Sequence, residues 1–449
     1  MHESDAGLLA PGWAGSPAET ATGDSAFLQA MLDAEAALTR AQSTAGLAPA
    51  GAGPAVTEAA DADRFDVRDL ALRARSDGNP VVPLVADLTS AVPEEARPYV
   101  HRGATSQDIL DTATMLVASR TLVAVLADLE RVAAELARHA AMHRDTPMAA
   151  RTLSQHAVPT TFGLKAAGWR ALALDARDRL AVVRDSLPVQ LGGVAGTLAA
   201  FSAFSAAPDD VDGPALVAVY ARELGLMEPA LPWHSLRTPI ADLTGALAFT
   251  AGALGKAAAD VLTMSRTEIG EAEEGQGGGS SARRHKTDPV RATLIAAAAR
   301  RAPGLAATLY GSLAAEDERP AGAWHAEWEP LRDLLRLVGG AARDAAELVA
   351  ELRVAPYAML ENLHLTDGLI VSERLVAVFA GRIGRVRAEE VLAGAAARAR
   401  SETADLSDVL FDVLNEEPEL AGLDLAELTD PTRYTGSAGR LTDRALDRR

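Results

Sequence analysis

No cysteine occurs in the 449 residues, so neither disulfides nor thiolate metal sites are open to this chain, and nothing speaks against a reducing cytoplasm. Aromatic residues are scarce at 4%, whereas apolar residues reach 48% and are visibly alanine and leucine. That pairing favours helices packed closely through small side chains, and the fold class it predicts is all-α. Positive charge is also short: 43 Lys and Arg against 62 Asp and Glu leave a net charge of −19. Nucleic acid and anionic membranes would be repelled over most of such a surface, which excludes both as partners. An acidic chain that binds an anion must gather its cations locally, so clusters of Arg, Lys and His become informative. The start Met1-His2-Glu3-Ser4-Asp5 lacks the basic, apolar pattern of an export signal. Apolar runs such as 294–299 fall far short of the roughly 20 residues a membrane span needs. A soluble, cytoplasmic protein is expected.

The length exceeds what one hydrophobic core fills, so two or three domains, or one very elongated one, are expected. Frequent Pro, Gly and Asp predict an N-terminal helical domain over residues 1–105, with short helices near 25–45 and 66–75. From Asp108 to Arg144 there is neither Pro nor Gly, and Leu110, Ala113, Leu116, Leu122, Leu126, Leu129, Val132 and Leu136 recur at helical spacing. One helix of about 55 Å follows. Further long helices are predicted over 160–186, 239–271, 289–313 and 330–352, several with proline in the first turn, the last interrupted by Gly339 and Gly340. They compose an elongated central bundle within residues 106–355, followed by a C-terminal helical domain over 356–449. The arginine-rich stretch Arg382, Arg385, Arg387, Arg398 and Arg400 reads as a solvated face. Helices this long carry more apolar surface than one subunit covers, which predicts an oligomer.

Four polar clusters stand against this apolar framework. His101-Arg102-Gly103-Ala104-Thr105-Ser106-Gln107-Asp108 precedes the long helix, where capping explains one of its hydroxyls but not all. Arg151-Thr152-Leu153-Ser154-Gln155-His156 offers donors to an anion ahead of another helix. Gly277-Gly278-Gly279-Ser280-Ser281-Ala282-Arg283-Arg284-His285-Lys286 reads as a flexible loop carrying a hydroxyl nucleophile or base beside a fixed cation. Glu316-Asp317-Glu318-Arg319 is followed by Trp324-His325-Ala326-Glu327-Trp328, a concentration of scarce residue types. Among the histidines, only His139 and His143 share a helix face, and they read as ordinary polar residues rather than metal ligands. A positive His143 would suit the helix C-terminus and could meet a substrate anion.

The spacings His101-x-Gly-x-Thr105-Ser106-x-Asp108, Thr152-x-x-Gln155 and Gly279-Ser280-Ser281-x-x-x-x-Lys286-x-x-Pro289 resemble the three separated signatures of the fumarase/aspartase superfamily. Within it, the strings Gln155 to Lys165, Gln190 to Thr197 and Trp324 to Trp328 are most similar to the 3-carboxy-cis,cis-muconate cycloisomerase branch. The resemblance implies a three-domain all-α subunit and a homotetramer whose active sites draw on three subunits. It also implies cofactor-free elimination through a carbanion beside a carboxylate of a small dicarboxylate or tricarboxylate. By position Ser280 matches the catalytic base and Lys286 its partner cation, a pairing that can stabilise a serine oxyanion. His101, Thr105, Ser106, Thr152, Gln155 and Arg319 match or adjoin substrate-binding positions, with Ser281, Arg283 and Arg284 as further candidates in the loop.

Two departures from the family pattern narrow the chemistry. Where lyases expelling amine or hydroxide carry a histidine after the threonine of the second signature, this chain has Leu153. Without that general acid, the leaving group is expected to be a stable anion such as a carboxylate or nitrite. Where the family has Met-Pro and Asn in the loop, this chain has Arg283, Arg284 and Asp288. Losing proline and gaining guanidinium groups predicts altered substrate contacts. A nitrosuccinate-type elimination giving fumarate and nitrite meets both constraints; the cycloisomerase reaction itself and an inactive structural relative are the alternatives.

Overall fold

Residues 7–205, 208–275, 278–280, 283–402, 404 and 406–448 are described by a computed structural model, with 210, 278–280 and 283–286 described through their backbone alone. Their local structure follows from capping and apolar periodicity. Helix α1 (Asp24–Thr44) buries Leu28, Leu32 and Leu38, each at 2% exposure or less. Burial of a leucine stabilises by about 1.5–3 kcal/mol. Helix α2 (Val67–Asp77) starts where the Asp66 carboxylate accepts the amides of Arg68 and Asp69, and stops at Gly78 with φ 75°. The long helix α3 (Ser106–Met142, 37 residues) begins two residues before the expected position. Its periodic residues Leu110, Ala113, Leu116, Leu122, Leu129, Val132 and Leu136 are buried, with Leu126 half-buried.

The other long helices are α4 (Phe162–Asp185), α5 (Thr238–Met264), α6 (Val290–Gly311) and α7 (Ala323–Glu351). Two sequence expectations fail in α7. Pro330 lies inside it rather than at its start, and Gly339 and Gly340 do not interrupt it. A methyl group at Gly339 would collide with Ala18, and one at Gly340 with the Gly12 carbonyl. The paired glycines are therefore a seat for the N-terminal segment, not a helix stop.

Chain contacts divide the molecule into two units. One holds the chain up to residue 130 with 174–255 and 294–345; the other holds 131–173, 256–293 and 346 onward. The second unit contains all the described strands. Strand β1 (Pro147–Thr152) pairs antiparallel with β2 (Gln155–Thr161), β3 (Ala272–Glu273) with β6 (Arg353–Val354), and β4 (Gly278–Ser280) with β5 (Arg283–Asp288). An otherwise helical fold thus carries three short ribbons, two of which hold signature residues. The same unit has a C-terminal core from α8 (Pro356–His364), α9 (Ser372–Ile383), α10 (Arg385–Glu402) and α11 (Leu406–Glu416), where Leu363, Leu375, Phe379, Leu392, Leu406 and Leu410 meet. The arginines of α10 stay on its outside, with Arg385 on Glu389 at 2.8 Å and Arg398 on Glu402 at 2.9 Å.

Contrary to the expectation from short apolar runs, α3 and α5 are long and apolar enough to cross a membrane by length and composition. In α3, 72% of the apolar window is buried within the protein, as in a core helix, against 44% in α5.

Candidate active site

In the first unit the start of α3 organises a polar hub. Thr105 precedes the helix, and the Asp108 carboxylate accepts from its amide (3.0 Å), the carboxylate half of a capping box with Asp in place of Glu. The fully buried Asp108 also accepts from the amides of Gly192 and Gly193 (both 2.9 Å) and from His234 Nε2 (2.7 Å). Gly192 has to be glycine, because a methyl there would come within 2.8 Å of the His234 ring. Gln107 donates to the His234 carbonyl (2.9 Å), so both turns of chain are tied to one helix end.

Arg319 lies against this hub. Its Nη2 donates to Thr105 Oγ1 at 2.8 Å and its Nε to Gln107 Oε1 at 3.1 Å, so that edge of the guanidinium is held by protein acceptors. Thr105, Arg319 and the half-buried Ser106 are thereby brought together. His101 sits in a turn at φ 52° and donates through Nδ1 to Glu35 Oε1 at 2.6 Å. Burial alone would lower its pKa, but the charge and hydrogen bond of Glu35, with Asp108 beyond, outweigh that and raise it above the usual histidine value. Glu35 is itself fully buried. Together these groups offer hydroxyls, a guanidinium and an imidazole biased towards its cation, the elements of an anion site.

The second unit carries the remaining candidates. Thr152 and Gln155 face each other across the end of the β1–β2 ribbon. The two residues between them, Leu153 (φ 48°) and Ser154 (φ 67°), both occupy the left-handed region, which a two-residue hairpin turn requires and which Asn-Gly normally supplies. Leu153 is 99% exposed. At the base of this tip Arg151 grips the fully buried Glu271 through two bonds of 2.8 and 2.6 Å, and Asn362 donates to the same carboxylate at 2.8 Å. Burial and the Arg151 charge lower the pKa of His156. Glu271 ends the segment that leads into β3, so this clamp ties the second signature to the stem of the third.

The described part of the third signature is paired as a ribbon rather than left as a free loop. Gly278 pairs with Asp288, Gly279 with Thr287, and Ser280 with Arg283 after an irregularity that leaves residues 284–286 as extra length on β5. Ser280 and Lys286 therefore belong to one hairpin. The side chains of Ser280, Arg283, Arg284 and Lys286, and all of Ser281, lie outside the described residues.

His139 and His143 stack at 6.3 Å, with His139 donating to the Val349 carbonyl (2.8 Å). Burial, followed by the charges of His139 and Arg138, lowers the pKa of His143, so the positive form expected at the helix terminus is disfavoured. Sequence reasoning missed Glu35, His234 and Glu271, which act through contacts distant in sequence and stand in no signature.

A family model described as "Lyase" matches residues 15–304, and one described as "Adenylosuccinate lyase C-terminus" matches 368–445. The chain belongs to the fumarase/aspartase superfamily of lyases. Members similar to this lyase include a nitrosuccinate lyase from Streptomyces davaonensis, 52% identical over 98% of this chain and 94% of the relative. A 3-carboxy-cis,cis-muconate cycloisomerase from Pseudomonas aeruginosa is 41% identical over 96% and 94%. The crystal structure of a 3-carboxy-cis,cis-muconate lactonizing enzyme from Pseudomonas putida superposes with a TM-score of 0.88 at 38% identity, covering 96% of each chain. The cycloisomerase-like branch expected from the motifs is borne out, and this lyase is an enzyme of that superfamily.

Proposed function

We propose that the chain is a nitrosuccinate-type lyase that removes a proton beside a carboxylate and expels nitrite from the adjacent carbon, leaving fumarate. Leu153 narrows the leaving group to a stable anion, since at the hairpin tip where the family places a histidine stands a fully exposed side chain with no proton to give. Nitrite departs as a stable anion and needs none. The observation that carries the choice of nitrite is the higher identity to a nitrosuccinate lyase, 52% against 41% to a cycloisomerase. In the proposed step the Ser280 oxyanion takes the proton, the C–H electrons form the new C=C bond, and the C–N pair leaves with nitrite. Lys286 and the loop amides stabilise the developing charge. Thr105, Ser106, Thr152, Gln155, Arg319 and His101 hold the carboxylates, and Ser281, Arg283 and Arg284 meet the substituent that distinguishes the substrate. No cofactor or metal is needed.

The working form is a cytoplasmic homotetramer whose sites combine residues of several subunits, each built from domains over 1–105, 106–355 and 356–449. Support for assembly comes from α5, whose apolar window is only 44% buried, and from exposed Val123 and Val182 on α3 and α4. The second reading, 3-carboxy-cis,cis-muconate cycloisomerisation, draws on relatives at 41% identity and is equally compatible with Leu153, since its leaving group in reverse is a carboxylate. Turnover of both compounds by one preparation discriminates. Faster turnover of nitrosuccinate supports the first reading, and lactonisation without nitrite release would replace it.

A further inference from the structure

The face of α1 that buries Leu28 and Leu32 turns polar further along the helix. Glu35, Thr39 and Gln42 continue it at helical spacing, and all three are buried, at 0, 0 and 1% exposure. Each reaches the turn that carries the first signature. Glu35 Oε1 accepts from His101 Nδ1 at 2.6 Å, Thr39 Oγ1 donates to the Tyr99 carbonyl at 3.3 Å, and Gln42 Nε2 donates to the Arg102 carbonyl at 3.0 Å. We propose that Glu35 is a positioning residue of the reaction, which holds the His101 ring so that Nε2 of an imidazolium is presented to a substrate carboxylate. The proposal rests on the reading of His101 as one of the groups that hold those carboxylates.

Thr39 and Gln42 fasten backbone, and a merely structural stripe would end there. Glu35 instead holds a side chain. It is fully buried, and among the described residues its Oε2 has no hydrogen-bond partner. Burying a carboxylate in that state is costly unless a cation faces it, and an apolar pair of similar volume is often as stable or more so. Stability of the fold therefore does not account for Glu35, whereas a charge kept on His101 does. The ring is placed to use that charge. Nδ1 is turned inward onto Glu35, the side chain keeps 19% exposure, and among the described residues Nε2 has no hydrogen-bond partner. The bond at Nδ1 leaves Nε2 as the nitrogen open to a ligand. Glu35 from α1 and Asp108 from α3 are the charged groups that act on the ring, and both favour its protonated form. The backbone of His101, at φ 52°, lies in the left-handed region, which a residue other than glycine keeps only where its surroundings impose it. The bonds from Thr39 and Gln42 on either side of His101 do so.

The test compares full-length wild type with Glu35→Gln, Thr39→Val and His101→Gln, reading KM for whichever of nitrosuccinate and 3-carboxy-cis,cis-muconate the wild type turns over. The wild type alone decides between those substrates, and the variants decide the role of Glu35. Glu35→Gln keeps an acceptor of the same shape without charge. At about pH 7 it should raise KM roughly tenfold, the difference between a charged and a neutral hydrogen bond, with kcat changed less than about threefold. Acid should protonate the ring again, so the ratio of variant to wild-type KM should fall as the pH is lowered to about 5.5. Thr39→Val loosens the same turn without touching charge, and its ratio should not vary with pH. In a His101→Gln background Glu35→Gln should raise KM no further. A Glu35→Gln ratio that stays constant with pH, or an equal penalty in the His101→Gln background, would overturn the proposal. Nitrogen NMR of the wild type at pH 6.5 should find the His101 ring mostly protonated, and a neutral ring there would overturn it without any variant.

Discussion

Replacing Asp108 by alanine should cost far more than a surface carboxylate would. Four donors converge on its buried carboxylate: the amides of Thr105, Gly192 and Gly193 at 2.9–3.0 Å and His234 Nε2 at 2.7 Å. Each buried donor deprived of its partner costs about 1–3 kcal/mol, although entering water and relaxation keep the terms from adding in full. Loss of the capping interaction is part of the same sum and is worth about 1 kcal/mol. We expect a total of about 4 kcal/mol, a large share of the 5–15 kcal/mol typical of a folded protein. Asp108→Asn should cost roughly half as much, because the amide keeps one acceptor but turns its NH₂ towards donors. Denaturant unfolding at fixed protein concentration measures both, read as a change in midpoint at unchanged slope. A loss below about 0.5 kcal/mol for the alanine variant would refute the reasoning, since that is the range of ordinary surface substitutions.

Other outcomes follow from the same geometry. His101 should titrate above the ordinary histidine pKa of 6.5 by NMR and fall below it in Glu35→Gln, where burial persists without the carboxylate. Because the folded-state pKa is raised, the stability from this pair is fully present below pH 6.5 and is lost as pH rises through the folded value; a difference that grew with pH would contradict it. Arg151→Met should destabilise by about 3–5 kcal/mol by leaving Glu271 buried without its cation, with Asn362 as its remaining side-chain donor, and adding Glu271→Gln should recover part of that in a double-mutant cycle. Leu153→Gly should stabilise by about 1 kcal/mol, because the left-handed backbone is strained for leucine and an exposed side chain gives up little packing; calorimetric unfolding would show it.

The legible part of the fold was the part written locally. Helix α3 was found to within two residues at each end because Leu110 through Leu136 repeat at the helical period without a breaker. The β1–β2 ribbon was missed because its turn is Leu153-Ser154, which carries none of the Asn or Gly that signals φ above zero. Gly339 and Gly340 were misread since nothing near them in sequence announces that residues 12 and 18 press on them. The site divided in the same way. Thr105, Asp108, Thr152 and Gln155 announce themselves by spacing, whereas Glu35, His234 and Glu271 earn their roles from partners 66, 126 and 120 residues away.

The central claim is that Ser280 removes a proton while nitrite leaves, and its most direct test is the yield of both products from nitrosuccinate. Wild-type protein should release nitrite and fumarate in equal amounts, and Ser280→Ala should lose both while keeping its thermal unfolding. Nitrite without fumarate, or equal activity in Ser280→Ala, would contradict the account.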